Sequence, residues 1–156
     1  MTKPVRLEVP ATAPTYAADG FGWAMAQGRM LRERRGDAID WDNLAEEIET
    51  MGRSERRSLE SNLMQIALHV IQWRVQPGRR GMSWWLSILN HRDAAMRDLR
   101  DNPSLKPELQ TLLDDALKTA RRTAQAETRL PRATIDGVAV TIGDCLDLEF
   151  EQPTRD

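Results

Sequence analysis

The stretch Asp40–Gly78, DWDNLAEEIETMGRSERRSLESNLMQIALHVIQWRVQPG, decides the fold. Asp40 can cap a helix, Ile39 and Leu44 stand at the two positions of a hydrophobic staple, and Asp42 suits the positive end of the helix dipole. From there a helical pattern reaches Gln76 and stops at Pro77-Gly78. A helix of about 36 residues is long for a globular domain, and Gly52 marks a kink or break inside it.

The flanking segments are helical as well. A first helix is expected over Tyr16–Arg35, with Thr15 as N-cap, Gly36 as the stop, and a narrow stripe of Ala17, Phe21, Ala24, Gly28 and Leu31. Ser83 can cap a third helix that ends at Asp101, before Asn102-Pro103. A fourth is expected over Ser104–Arg129, with Leu105, Leu109, Leu112, Leu113, Ala116, Leu117, Ala120 and Ala124 along one face and Pro107 in its first turn. Beyond Pro131, ATIDGVAV has an Asp-Gly pair between β-branched residues, which suits either a small hairpin or a segment that simply wraps the bundle, and TIGDCLDLEF suits one short helix. Short connections favour antiparallel neighbours. The expectation is an all-α, four-helix bundle-like domain over residues 15–130, with a mobile tail at 1–14 and an irregular appendage at 131–156.

Composition narrows the function classes. The 156 residues are 40% hydrophobic and 29% charged, and 22 basic residues against 24 acidic ones leave a net charge of −2. No overall field draws such a chain to a polyanion. Most of the basic residues are Arg, but nearby Asp and Glu answer them; the patch Arg32, Arg34, Arg35, Arg53, Arg56 and Arg57 is interrupted by Glu33, Asp37, Glu49 and Glu55. Aromatic residues for base stacking are scarce there, which disfavours nucleic acid. Cys145 is the only cysteine, so no internal disulfide forms, and nothing nearby in sequence would lower its pKa. No apolar run approaches the ~20 residues of a membrane span. The N-terminal segment lacks an apolar signal core, and the cytoplasm is the expected compartment.

Two histidines and one acidic run are the candidates for chemistry. The acids of NLAEEIE (Asn43–Glu49) lie where the dipole favours negative charge, and Glu49 stands four residues before Arg53. Glu47 points within about 40° of His69, yet twenty-two residues separate them by roughly 33 Å along a helix. They can share a ligand only if the helix reverses at Gly52 or a second subunit brings its own Glu47 across. His91 is the better partner. His69 and His91 stand eleven residues either side of residue 80, so an antiparallel hairpin should place them at one level, within roughly 10 Å. Trp73, Trp84 and Trp85 crowd the same end, where Trp73 and Trp84 should be mostly buried; such a cluster is usually core, and its alternative is an aromatic-walled pocket of His69, Trp73, Trp84, His91 and Glu127. A metal at His69 and His91 needs a third protein ligand. On the fourth helix Asp114 and Asp115 point away, and Glu127, the one inward acid, lies level with Arg79–Arg80, where an ion pair is expected. A core seam of hydrogen-bonded histidines is therefore favoured over a metal site.

The segments DGFGW (Asp19–Trp23), MLR (Met30–Arg32), DWDNLAEEIETMGRSERR (Asp40–Arg57), LHVIQWRVQP (Leu68–Pro77), SWWLSILNHR (Ser83–Arg92), NPSLK (Asn102–Lys106) and ARRTAQAET (Ala120–Thr128) resemble the bacterial domain-of-unknown-function family 29. The resemblance implies a helical bacterial protein and brings no activity, cofactor or substrate. The corresponding motif positions are Asp19, Trp23, Asp40, Trp41, Leu44, Glu47, His69, Trp73, Pro77, Trp84, Ile88 and Arg92. The chain departs from the pattern at Gln72, where Lys is usual, and at Phe21-Gly22, where a second bulky residue is commoner.

Two functions follow as expectations. The first is an interaction domain that forms a homo-oligomer or binds a protein partner, with Glu47 at the interface, because so long a second helix outruns its neighbours. The alternative is a metal-dependent or acid–base enzyme built on His69 and His91. No cofactor is specified by the residues.

Overall fold

The computed structural model describes residues 13–147 and 149–153; residues 1–12, most of the expected tail, lie outside the described residues. Six helices occupy them: α1 (Gly20–Arg32), α2 (Trp41–Val75), α3 (Met82–Asp101), α4 (Leu109–Thr128), α5 (Arg132–Asp136) and α6 (Ile142–Leu146). The fold is all-α, with the four long helices in the expected order. No helix among the described residues is long and apolar enough to cross a membrane.

The ends of the helices differ from expectation where capping chemistry competes. α1 starts at Gly20 because Asp19, not Thr15, caps it: the Asp19 carboxylate accepts the Gly22 amide at 2.8 Å. A Cβ on Gly22 would sit 2.3 Å from that carboxylate, so glycine is what admits the cap. α2 runs without interruption through Gly52, so the anticipated break does not occur. α3 begins one residue before Ser83, and its N-cap, Gly81, offers no side chain. α4 is entered through a 3₁₀ segment, Pro103–Glu108, rather than starting at Ser104. Pro107 has no N–H to donate and its ring crowds the carbonyl four residues back, which delays regular α-helix to Leu109.

The hairpin expected after Pro131 is absent. Asp136-Gly137 ends α5 instead of reversing a strand pair, because Gly137 has φ −70°, whereas a two-residue hairpin turn needs positive φ. The short helix expected in TIGDCLDLEF is α6, closed by a capping box between Thr141 and Asp144.

The chain divides into two units at Met51/Gly52. In the first, α1 turns Trp23 and Gln27 inward, at 4% and 6% exposure. The anticipated stripe lies elsewhere on the helix, and its Phe21 and Leu31 are exposed. Trp23 wins the inward face because it meets Tyr16 edge-on, with centroids 4.9 Å apart, and donates from Nε1 to Asp40.

In the second unit, partners on α3 descend as α2 climbs. Glu55 accepts from Asn102, Ser58 and Asn62 donate to Asp98, and Asn62 pairs with His91. These two helices are therefore antiparallel. α4 instead runs parallel to α2, since Arg56 donates to Glu108 and Gln72 to Glu127. The core between them is Leu59, Leu63, Ile66, Val70, Ile71, Ile88, Ala95, Leu112, Leu113 and Ala120, all fully buried.

The C-terminal segment is tied down by two arginines and a tryptophan. Arg74 donates to the Ala139 carbonyl and makes an ion pair with Asp144. Arg92 donates to the carbonyls of Cys145 and Asp144, and Trp85 donates to that of Phe150. Burial would raise the Asp144 carboxyl, but hydrogen bonds from Arg74 and Thr141 outweigh it and hold the group below the usual range. Removing Arg92 strands two carbonyls and a charge-assisted bond. Arg92→Ala is expected to lower stability by about 1.5–3 kcal/mol in urea unfolding, with increased amide exchange in α6; a change within error would show that the arginine contributes no anchorage.

Candidate functional site: two histidines held by amide relays

The α2–α3 hairpin sets the levels of His69 and His91. The pairs from Glu55–Asn102 to Asn62–His91 have their midpoints in the Gln76–Arg80 loop, so the expected hairpin forms. The register is displaced, however. His91 meets Asn62 through Nδ1 at 2.9 Å, and His69 meets Gln72 through Nδ1 at 2.9 Å. The two rings do not bond each other. A charge on His91 would also oppose protonation of His69, by less than burial does.

Each histidine ends a relay that begins at a carboxylate. The Gln72 amide donates from Nε2 to Glu127 at 2.5 Å. Its Oε1 is thereby left facing His69 as an acceptor, so His69 carries its proton on Nδ1. The second relay repeats the logic: Asn62 donates from Nδ2 to Asp98 at 3.1 Å, and its Oδ1 accepts from Nδ1 of His91. Both neutral rings consequently present Nε2 as a lone pair. Glu127 thus pairs with Gln72 rather than with Arg79 or Arg80, correcting the expected ion pair. Arg80 instead donates to the Trp73 carbonyl and lies over its ring, 5.4 Å from the centroid.

The aromatic end is occupied. Trp73 is 8% exposed and packs edge-on against Phe150 at 5.5 Å. Trp84 is only half-buried, less than expected. Among the described residues, no three His, Cys, Asp or Glu side chains gather as metal ligands. Cys145 is fully buried, and burial pushes its thiol up to about 12, so it is no nucleophile at neutral pH.

Glu47 takes up a different task. α2 continues through Gly52, so the helix reversal that would carry Glu47 to His69 does not occur. Glu47 accepts from the Tyr16 hydroxyl at 2.6 Å, and this bond raises the phenol's pKa. A second polar seam surrounds it in the first unit. Asp40 accepts from Asn43 Nδ2 and Trp23 Nε1, and its own amide donates to Gln27. The bond from Asn43, then that from Trp23, hold the Asp40 carboxyl below its usual range against partial desolvation. A cavity of about 610 Å³ opens beside this seam, with Tyr16, Trp23, Gln27, Asp40 and Asn43 in its wall. Tyr16, Gln27 and Asn43 were not singled out from sequence. The signal that pointed to the place was the resemblance, whose motif positions include Trp23, Asp40 and Glu47.

Burial lowers the pKa of both histidines below the usual 6.5; for His69 it outweighs the opposing effects of the Gln72 bond and the Glu127 charge. Between the depressed folded values and 6.5 the unfolded chain holds more protons. Stability supplied by the neutral rings is therefore complete above 6.5 and is lost as pH falls through the folded values. Proton NMR of the two Cε1–H resonances should give both midpoints under 6.5; a midpoint above it would contradict the neutral Nδ1–H assignment.

No curated protein and no solved structure matches the chain. A family model does, over residues 15–151, described as a domain of unknown function, DUF29. That span takes in both relays and the seam around Asp40, and the chain belongs to the DUF29 family.

Proposed function

We propose that the protein is an interaction domain that self-associates through the start of α2. One observation carries this proposal. Six large apolar side chains of the first unit are exposed, Phe21, Met25, Leu31, Trp41, Ile48 and Met51, against Leu86 and Met96 in the second. Such a concentration is unusual for a surface without a partner.

The arrangement of α2 supports a second copy as that partner. Leu59, Leu63, Ile66, Val70 and Trp73 recur at three- and four-residue intervals and are 0–8% exposed. The same series extends back through Gly52, Ile48, Ala45 and Trp41, where Trp41 and Ile48 are 59% and 60% exposed. α2 has 35 residues and its neighbours α3 and α4 have 20 each, a difference of about 22 Å of helix. Large and small residues alternate along the exposed part. Two copies laid antiparallel about a two-fold axis would set Trp41 over the partner's Gly52 and Ile48 over the partner's Ala45, the large-into-small fit that close helix packing requires.

Sedimentation velocity at micromolar concentration is expected to show a dimer. Ile48→Glu should weaken it about a hundredfold, since a two-fold interface loses two isoleucines at about 1.5 kcal/mol each, with the helical circular dichroism unchanged. A wild-type monomer across that range would end the proposal.

A second function, acid–base or metal chemistry at His69 and His91, is favoured by the two relays, which leave both Nε2 atoms as lone pairs. Elemental analysis of protein purified without chelator tests the metal form: stoichiometric zinc, iron or manganese that disappears in His69→Ala would support it, and metal-free protein would count against it.

A further inference from the structure

We infer that α4 and α5 form a binding site for a phosphate monoester, independent of the self-association proposed above. A cavity of about 520 Å³ lies between these helices, walled by Lys118, Arg121, Arg122, Gln125, Arg132 and Asp136, with Ile135 also lining it. Lys118, Arg121, Arg122 and Gln125 follow the three- and four-residue spacing that puts them on one face of α4. Four cations therefore converge on one opening, against a single carboxylate in the wall.

The internal pairings leave part of that charge unused. Lys118 bonds Asp115 at 2.7 Å and Arg132 bonds Asp136 at 3.1 Å. Arg121 donates from one terminal nitrogen to the Val138 carbonyl at 3.3 Å, but its Nε is buried without any acceptor. Arg122 is exposed and has no acceptor among the described residues. An oxyanion in the cavity would give the Arg122 guanidinium the acceptor that no described residue supplies. The planar guanidinium fork matches phosphate oxygens two at a time, which favours a phosphate over a halide. The space greatly exceeds a lone phosphate, and the Gln125 amide and the Ile135 side chain supply a polar and an apolar wall for an organic group. A small phosphorylated metabolite or a phospholipid headgroup would present the same chemistry.

Isothermal titration with glycerol 1-phosphate and with inorganic phosphate, at low ionic strength, tests the site. Saturable one-to-one binding is expected, tighter for the ester than for the inorganic ion, with affinity reduced at least about tenfold by Arg122→Ala or Arg121→Gln. Arg122 is exposed, so its variant keeps the fold, and Arg100→Ala, on α3, should bind like the wild type. Vesicles of phosphatidic acid in phosphatidylcholine, compared with phosphatidylcholine alone, identify the source. Sedimentation with the former, abolished by Arg122→Ala, would make the headgroup the ligand; binding of the soluble ester alone would make it a metabolite. Absence of saturable binding by every phosphate probe, or binding unaffected by Arg122→Ala, would overturn the inference.

Discussion

One helix of 35 residues without a break constrains everything else in this protein. A helix can hide an apolar stripe only along the length that other helices cover. In α2 the covered part is Leu59–Trp73, against α3 and α4, and there the stripe is at most 8% exposed. The beginning of the same helix carries Trp41, Ile48 and Met51 into solvent. Gly52 would be the natural place for a reversal that folds this end back, yet helical hydrogen bonding carries through it. A lone glycine in a helix costs about 1 kcal/mol, too little to break a segment whose later turns are held by a core.

Buried polar side chains set the details that apolar packing leaves open. Gln72, 2% exposed, has one donor group and one acceptor, and it satisfies both by standing between Glu127 and His69. A lysine at this position would offer donors only and could not accept from the His69 ring. Like Gln72, Asn62 stands between a carboxylate and a ring, Asp98 and His91. In both relays an amide transmits the position of a carboxylate into the choice of tautomer on a ring, which is how a neutral histidine is held in a partly apolar seam.

The appendage shows the opposite balance. Residues 132–146 form two five-residue helices that are too short to be stable alone. They are fixed from outside, by Arg74 and Arg92 reaching to backbone carbonyls and by Ile135 and Cys145 entering the core. Arg92 is one of the motif positions, and its structural task is evident only once the carbonyls it serves are in place.

The amino-acid sequence by itself determined the long helices, their order and the hairpin between α2 and α3. Those follow from periodicity, capping groups and the helix-stopping effect of Pro77-Gly78, all of which act within a few residues along the chain. It also determined that His69 and His91 fall on facing helices. Only the tertiary structure decided which face of α1 turns inward, that Asp136-Gly137 ends a helix, and that each histidine binds an amide instead of its counterpart. Those outcomes depend on the rotation and register of packed helices, where a shift of one turn, about 5.4 Å, exchanges every polar partner while the apolar pattern remains satisfied.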